Sequence, residues 1–223
     1  MEQVSLTKKR SRAGWVVVLA GLVLGLGAAT ALAGGGNSDN AQLCQQSGWA
    51  GLVRLDGTAF TNQGDCVSYG AQGGELLYVF TTELKGTNEN PPVTTSGTGT
   101  ATVTWNTATD EMSVEIAFSG LGAGTTASHI HCCAVPPANA GVATQVPRFT
   151  GFPVGVMSGT YSHTFDMTDP ASYNPAFVTA NGGTAASAES TLLAGLLAGQ
   201  AYLNIHTTAN PGGEIRGVLT LSS

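Results

Sequence analysis

Apolar and polar positions along much of this chain alternate with a period of two. In residues 99–106, Ala101, Val103 and Trp105 interleave with Thr100, Thr102 and Thr104. In residues 111–118, Met112, Val114, Ile116 and Phe118 interleave with Glu111, Ser113 and Glu115. Tyr161, His163, Phe165 and Met167 share one face of a third run, and Ile215, Leu219 and Leu221 share one face of the last. Successive side chains of a strand point to opposite faces, so each run predicts a strand lying half-buried on a core. Turn residues separate the runs, at 106–110 and at Asn210-Pro211-Gly212-Gly213. One stretch breaks the pattern: residues 187–197 set Leu192, Leu193, Leu196 and Leu197 along a helical face. The expected fold is mostly β, an antiparallel Greek-key-like β-sandwich or barrel with one short helix. Roughly 145 residues of such strands can bury a core without help from disulfides.

Charge changes the picture at one end. The chain has 223 residues, 10% of them charged, with eight basic and fourteen acidic side chains. Lys8, Lys9, Arg10 and Arg12 supply half of the basic residues within the first twelve positions. An uncharged apolar stretch follows from Gly14, ending in Ala31-Leu32-Ala33. A basic start, an apolar middle and a small-x-small end predict a secretory signal peptide over 1–33. About 20 apolar residues can also span a bilayer, so a membrane anchor is the outcome if the segment stays uncleaved. Cleavage after Ala33 leaves four basic and thirteen acidic residues, a net charge of −9. So few basic side chains exclude a phosphate-binding surface, and with it nucleic-acid partners. The 31 glycines and the scarcity of Glu, Lys and Arg exclude a coiled coil. No G-x-S-x-G, H-E-x-x-H or phosphate-loop signature occurs, and no pair of acids stands out, so no catalytic residue is assigned.

Export gives the four cysteines a meaning. Cys44, Cys66, Cys132 and Cys133 are even in number, which points to disulfides, and three pairings are open. Cys132 and Cys133 can close a vicinal disulfide or remain thiols. In an extended 127–133 segment, alternation puts His129, His131 and Cys133 on one face. In Tyr202-Leu203-Asn204-Ile205-His206, alternation puts Tyr202, Asn204 and His206 on one face and Leu203 and Ile205 on the other. Should these strands meet, three imidazoles and a thiolate converge, a donor set that suits copper or zinc. The competing reading makes His129, His131 and His206 structural, bonded to backbone carbonyls across strands. The H-x-H dyad with a distant third histidine is also similar to Cu/Zn superoxide dismutase, whose remaining ligand histidines have no counterparts here. Glu214 and Arg216, two apart on the last strand, are expected to form a structural ion pair.

Four blocks, in order, carry a family resemblance. They are Leu84-Lys85-Gly86-Thr87-Asn88-Glu89-Asn90-Pro91-Pro92-Val93, Ala127-Ser128-His129-Ile130-His131, the stretch from Leu193-Ala194-Gly195 to Ala201-Tyr202-Leu203-Asn204-Ile205-His206-Thr207, and Pro211-Gly212-Gly213-Glu214-Ile215-Arg216-Gly217. Together they resemble the CHRD domain, named from the extracellular antagonist chordin, over residues 75–221. The resemblance implies a β-sandwich or barrel, an extracellular or cell-envelope setting and no known catalysis. Cys132-Cys133 stands where many members carry a Gly-Pro loop. Residues 43–70 resemble a small cysteine-bounded module of exported bacterial proteins, with Trp49 after the first cysteine and an N-Q-G-x-C-V-x-Y ending. That resemblance implies a Cys44–Cys66 bond, worth roughly 3 kcal/mol in the chain-entropy picture. Residues 34–42 then read as a linker.

The functional expectation is an exported, non-enzymatic CHRD-domain module, secreted or in the cell envelope. Its partner is an extracellular protein or envelope component that the sequence does not specify. The alternative is a copper- or zinc-binding protein or metalloenzyme using His129, His131, His206 and Cys133.

Overall fold

The computed structural model describes residues 37–222. The stretch expected to be a signal peptide, 1–33, lies outside the described residues. Nine strands form one strongly curled sheet, a half-barrel: β1 (Leu52–Arg54), β2 (Leu76–Lys85), β3 (Thr98–Asn106), β4 (Glu111–Ser119), β5 (Thr125–His131), β6 (Gly159–Asp166), β7 (Tyr202–Thr207), β8 (Ile215–Val218) and β9 (Thr220–Leu221). Their order is β5-β7-β8-β2-β3-β4-β6, with β1 and β9 also paired to β2, and all pairings are antiparallel. The expected antiparallel β architecture is therefore what the chain adopts.

The alternating runs supply β3, β4 and β6, and their apolar faces are the buried ones. Val103, Trp105, Met112, Val114 and Ile116 are all 3% exposed or less. The central strand has no such alternation. β2 opens with Leu76-Leu77-Tyr78, buried on both faces, so its pattern is a continuous apolar run. The last run divides: β8 stops at Val218, Leu219 turns inward and β9 resumes at Thr220.

Among the described residues, four α-helices stand where one was expected: α1 (Asn37–Leu43), α2 (Gln63–Ala71), α3 (Pro175–Ala180) and α4 (Ala185–Leu197). The leucine face of 187–197 is α4, started by a capping box in which the Thr184 hydroxyl accepts from the Ser187 N–H. Its Leu192, Leu193 and Leu196 join the core. Helix α1 occupies most of the stretch read as a linker. It packs on α2, and the buried Cys44–Cys66 disulfide joins them. This segment is not detached from the sheet: β1 pairs with the first residues of β2, and Leu52 and Phe60 enter the common core. Arg54 anchors it further, bonding Asp65 at 2.7 Å and lying over the Phe60 ring.

Candidate metal centre

Strands β5 and β7 are neighbours, and their register decides what meets. His131 lies opposite Tyr202, His129 opposite Asn204 and Ala127 opposite His206. His129 and His131, two apart, project to one side, while Ile130 between them is fully buried in the core. His206 approaches on the diagonal. Among the described residues, His129, His131 and His206 form a group able to hold an ion, with one ring nitrogen from each lying within 4.8 Å of the others.

The hydrogen bonds assign the tautomers. A carbonyl oxygen only accepts, so a ring nitrogen bonded to one must carry the proton. His129 Nε2 donates to the Pro147 carbonyl at 2.8 Å, His131 Nδ1 to Ala140 at 3.0 Å and His206 Nδ1 to Pro211 at 2.9 Å. Each neutral ring then has one lone pair left, on His129 Nδ1, His131 Nε2 and His206 Nε2. Two of these, His129 Nδ1 and His206 Nε2, face each other at 3.4 Å. The third, His131 Nε2, is buried with no protein partner. Burial holds the rings neutral: it lowers His129 and His131 to about 4, against the partial support of their carbonyl partners, and lowers His206 as well. Two buried imidazoles and the half-buried His206 thus bring their nitrogens within 4.8 Å of one another.

Cys133 does not join this group. Strand β5 ends at His131, and Cys133 closes a vicinal disulfide with Cys132. Both sulfurs rest against Gly195 of α4, where a Cβ would overlap them. A sulfur bound to sulfur offers no thiolate, so Cys133 is removed from the ligand set.

The expected Glu214–Arg216 pair does not form either. Glu214 sits one residue before β8 and is bonded by the Thr95 hydroxyl at 2.6 Å, the Gly122 N–H at 2.7 Å and the Thr207 hydroxyl at 2.7 Å. Burial works to raise its carboxyl, but these donors prevail and hold it below the usual range. Arg216 donates to the Asn88 and Pro137 carbonyls and to Asn139 Oδ1. Its nearest acid is Glu89, 4.0 Å away. Loops distant in sequence reach both side chains before either reaches the other. His163 stays apart, in an aromatic row between Tyr161 and Phe165.

Three functional candidates carried too little signal in the sequence. Tyr202 stacks on His131, ring centroids 4.8 Å apart and 6° from parallel. Asn204 and Glu89 form a buried pair, Asn204 Nδ2 donating to Glu89 Oε2 at 3.3 Å. Alternation placed Tyr202 and Asn204 beside His206 but gave them no role. Glu89 stood in no pattern beyond its block.

Residues 80–219 match the CHRD domain. The chain belongs to the CHRD-domain family. No curated protein matches it, and no solved structure does. In this CHRD domain the four blocks separate into two meeting points. Those at 127–131 and 201–207 bring the histidines together, and those at 84–93 and 211–217 bring Glu89 to Arg216. Asn204 touches both, since it lies opposite His129 and Arg216 in register and binds Glu89.

Proposed function

We propose that this CHRD-domain protein is an exported, non-enzymatic envelope module that holds one Zn²⁺ or Cu²⁺ ion on His129, His131 and His206. The carbonyl bonds occupy one nitrogen of each ring, as a purely structural role would also require; one observation carries the reading beyond that, a nitrogen of each ring lying within 4.8 Å of the others while His131 Nε2 is buried and unbonded. Such an arrangement costs free energy unless a cation lies between them. Carbonyl-bound outer nitrogens are also how metal-ligating histidines are oriented. The spacing agrees. Two nitrogens 3.4 Å apart, each about 2.05 Å from one ion, subtend about 110°, close to tetrahedral. With both sulfurs of Cys132–Cys133 sealed, the donors are nitrogen, which suits Zn²⁺ and Cu²⁺ better than Cu⁺. The two disulfides fit an oxidising compartment, as an extracytoplasmic CHRD module requires.

Elemental analysis of protein loaded with zinc or copper and then desalted is the test. One equivalent is expected in the native protein and none in the His129→Ala, His131→Ala double variant. Native protein without stoichiometric metal overturns the reading.

A further inference from the structure

Tyr202 is tied to His131 more closely than its place in the register requires. Its ring lies flat on the imidazole. Its hydroxyl accepts from the Ala140 N–H at 3.2 Å and donates to the Ala140 carbonyl at 3.3 Å. That same carbonyl accepts His131 Nδ1–H at 3.0 Å. Tyr202 therefore touches the His131 ring and also holds the peptide group that fixes which ring nitrogen carries the proton. The tyrosine is itself held. The Arg216 guanidinium lies over its ring, 4.6 Å from the centroid. Arg216 comes from β8 and His131 from β5, the strands on either side of β7. Three bonds, from Arg216 to Asn88, Asn139 and Pro137, keep the guanidinium in place. Arg216, Tyr202 and His131 thus form a continuous stack across three strands, and its last member leaves Nε2 buried and without a partner.

We propose that Tyr202 is the positioning residue of the metal centre, fixing the His131 ring so that Nε2 faces the ion. This rests on the metal reading above. Tyr202 binds no metal itself. Its ring sets the plane of the imidazole, and its hydroxyl sets the Ala140 carbonyl that selects the Nδ1–H tautomer. An imidazole freed of these contacts can rotate Nε2 away from the ion or take the other tautomer. Either change reduces affinity, and outer contacts of this kind are worth roughly 10- to 100-fold.

The test compares native protein with Tyr202→Phe, which keeps the stack and removes the hydroxyl, and Tyr202→Leu, which removes both. Zn²⁺ affinity is measured by chelator competition, and the Cu²⁺ site by its electron paramagnetic resonance spectrum. About ten-fold weaker zinc binding is expected for Tyr202→Phe and about 100-fold for Tyr202→Leu, each with a shifted copper hyperfine pattern. Apo Tyr202→Phe should melt as a single cooperative unit near the native temperature, which separates ligand orientation from general stability. If Tyr202→Leu does not fold, Tyr202→Phe decides. Native affinity and a native copper spectrum in Tyr202→Phe overturn the positioning role and leave the metal reading standing. Native protein that takes up no metal overturns both.

Discussion

At the scale of single residues, the chemistry of this protein is set by which buried groups keep a proton. Glu89 and Asn204 are an example outside the histidine cluster. Glu89 Oε1 and Asn204 Oδ1 are both buried without a partner, and both lie against the bare Cα of Gly213. One proton on the Glu89 carboxyl, shared with the amide oxygen, would satisfy both atoms. Burial raises Glu89 to about 7, although Arg216 and Asn204 each pull it down. A carboxyl raised in the folded state contributes stability that is complete below about pH 4.5 and fades as pH rises through about 7. Glu89→Gln keeps a donor and an acceptor toward Asn204 and carries no charge. Its melting temperature should therefore match native below about pH 4.5, draw ahead as pH rises, and exceed it at pH 8. A variant less stable than native at pH 8 would show that Glu89 acts as an ion toward Arg216. Strand parity made the histidine cluster legible in the sequence, because faces follow directly from alternation. Parity could not give the fate of Glu214 and Arg216, since their partners stand 92 and 128 residues away at Gly122 and Asn88.

At the scale of elements, the vicinal disulfide and α4 must be considered together. Both sulfurs sit where a side chain at Gly195 would be. Helix propensity favours alanine over glycine by about 1 kcal/mol, so Gly195→Ala would stabilise an isolated helix. In this protein it should instead cost about 1–3 kcal/mol through overpacking against the sulfurs. Urea unfolding can measure the sign. Replacing both Cys132 and Cys133 by alanine should remove the penalty, because contacting residues couple non-additively. An unchanged penalty in that background would place its origin elsewhere. The sequence told β3, β4, β6 and α4 plainly because each buries one face and wets the other. It gave β2 poorly because a strand with neighbours on every side has no polar face to mark its period. Helices α1 and α2 were hidden among short polar residues, and what orders them is a disulfide and packing rather than an apolar stripe.

At the scale of the molecule, a single sheet ties the cysteine-bounded segment to the family domain, with β2 in the middle accepting β1, β3, β8 and β9. The compartment reading can be checked on this whole chain. Intact-mass analysis of exported protein should give a species lacking residues 1–33 and lighter by four hydrogen atoms than its fully reduced form. A mass that retains 1–33 would make the segment an anchor and the protein membrane-bound. The carbonyls behind the histidines have a further consequence, for heredity rather than for chemistry. Ala140, Pro147 and Pro211 contribute main-chain oxygens, which every amino acid possesses. Half of the centre is therefore written in the path of the chain and leaves no letter in the alphabet of side chains. In a saturation library selected for zinc retention, positions 129, 131 and 206 should accept almost nothing, while 140 should drift freely among residues that preserve its loop. Sequences diverging under such rules would keep three scattered histidines and the tyrosine at 202, and lose the trace of the carbonyls that orient the rings.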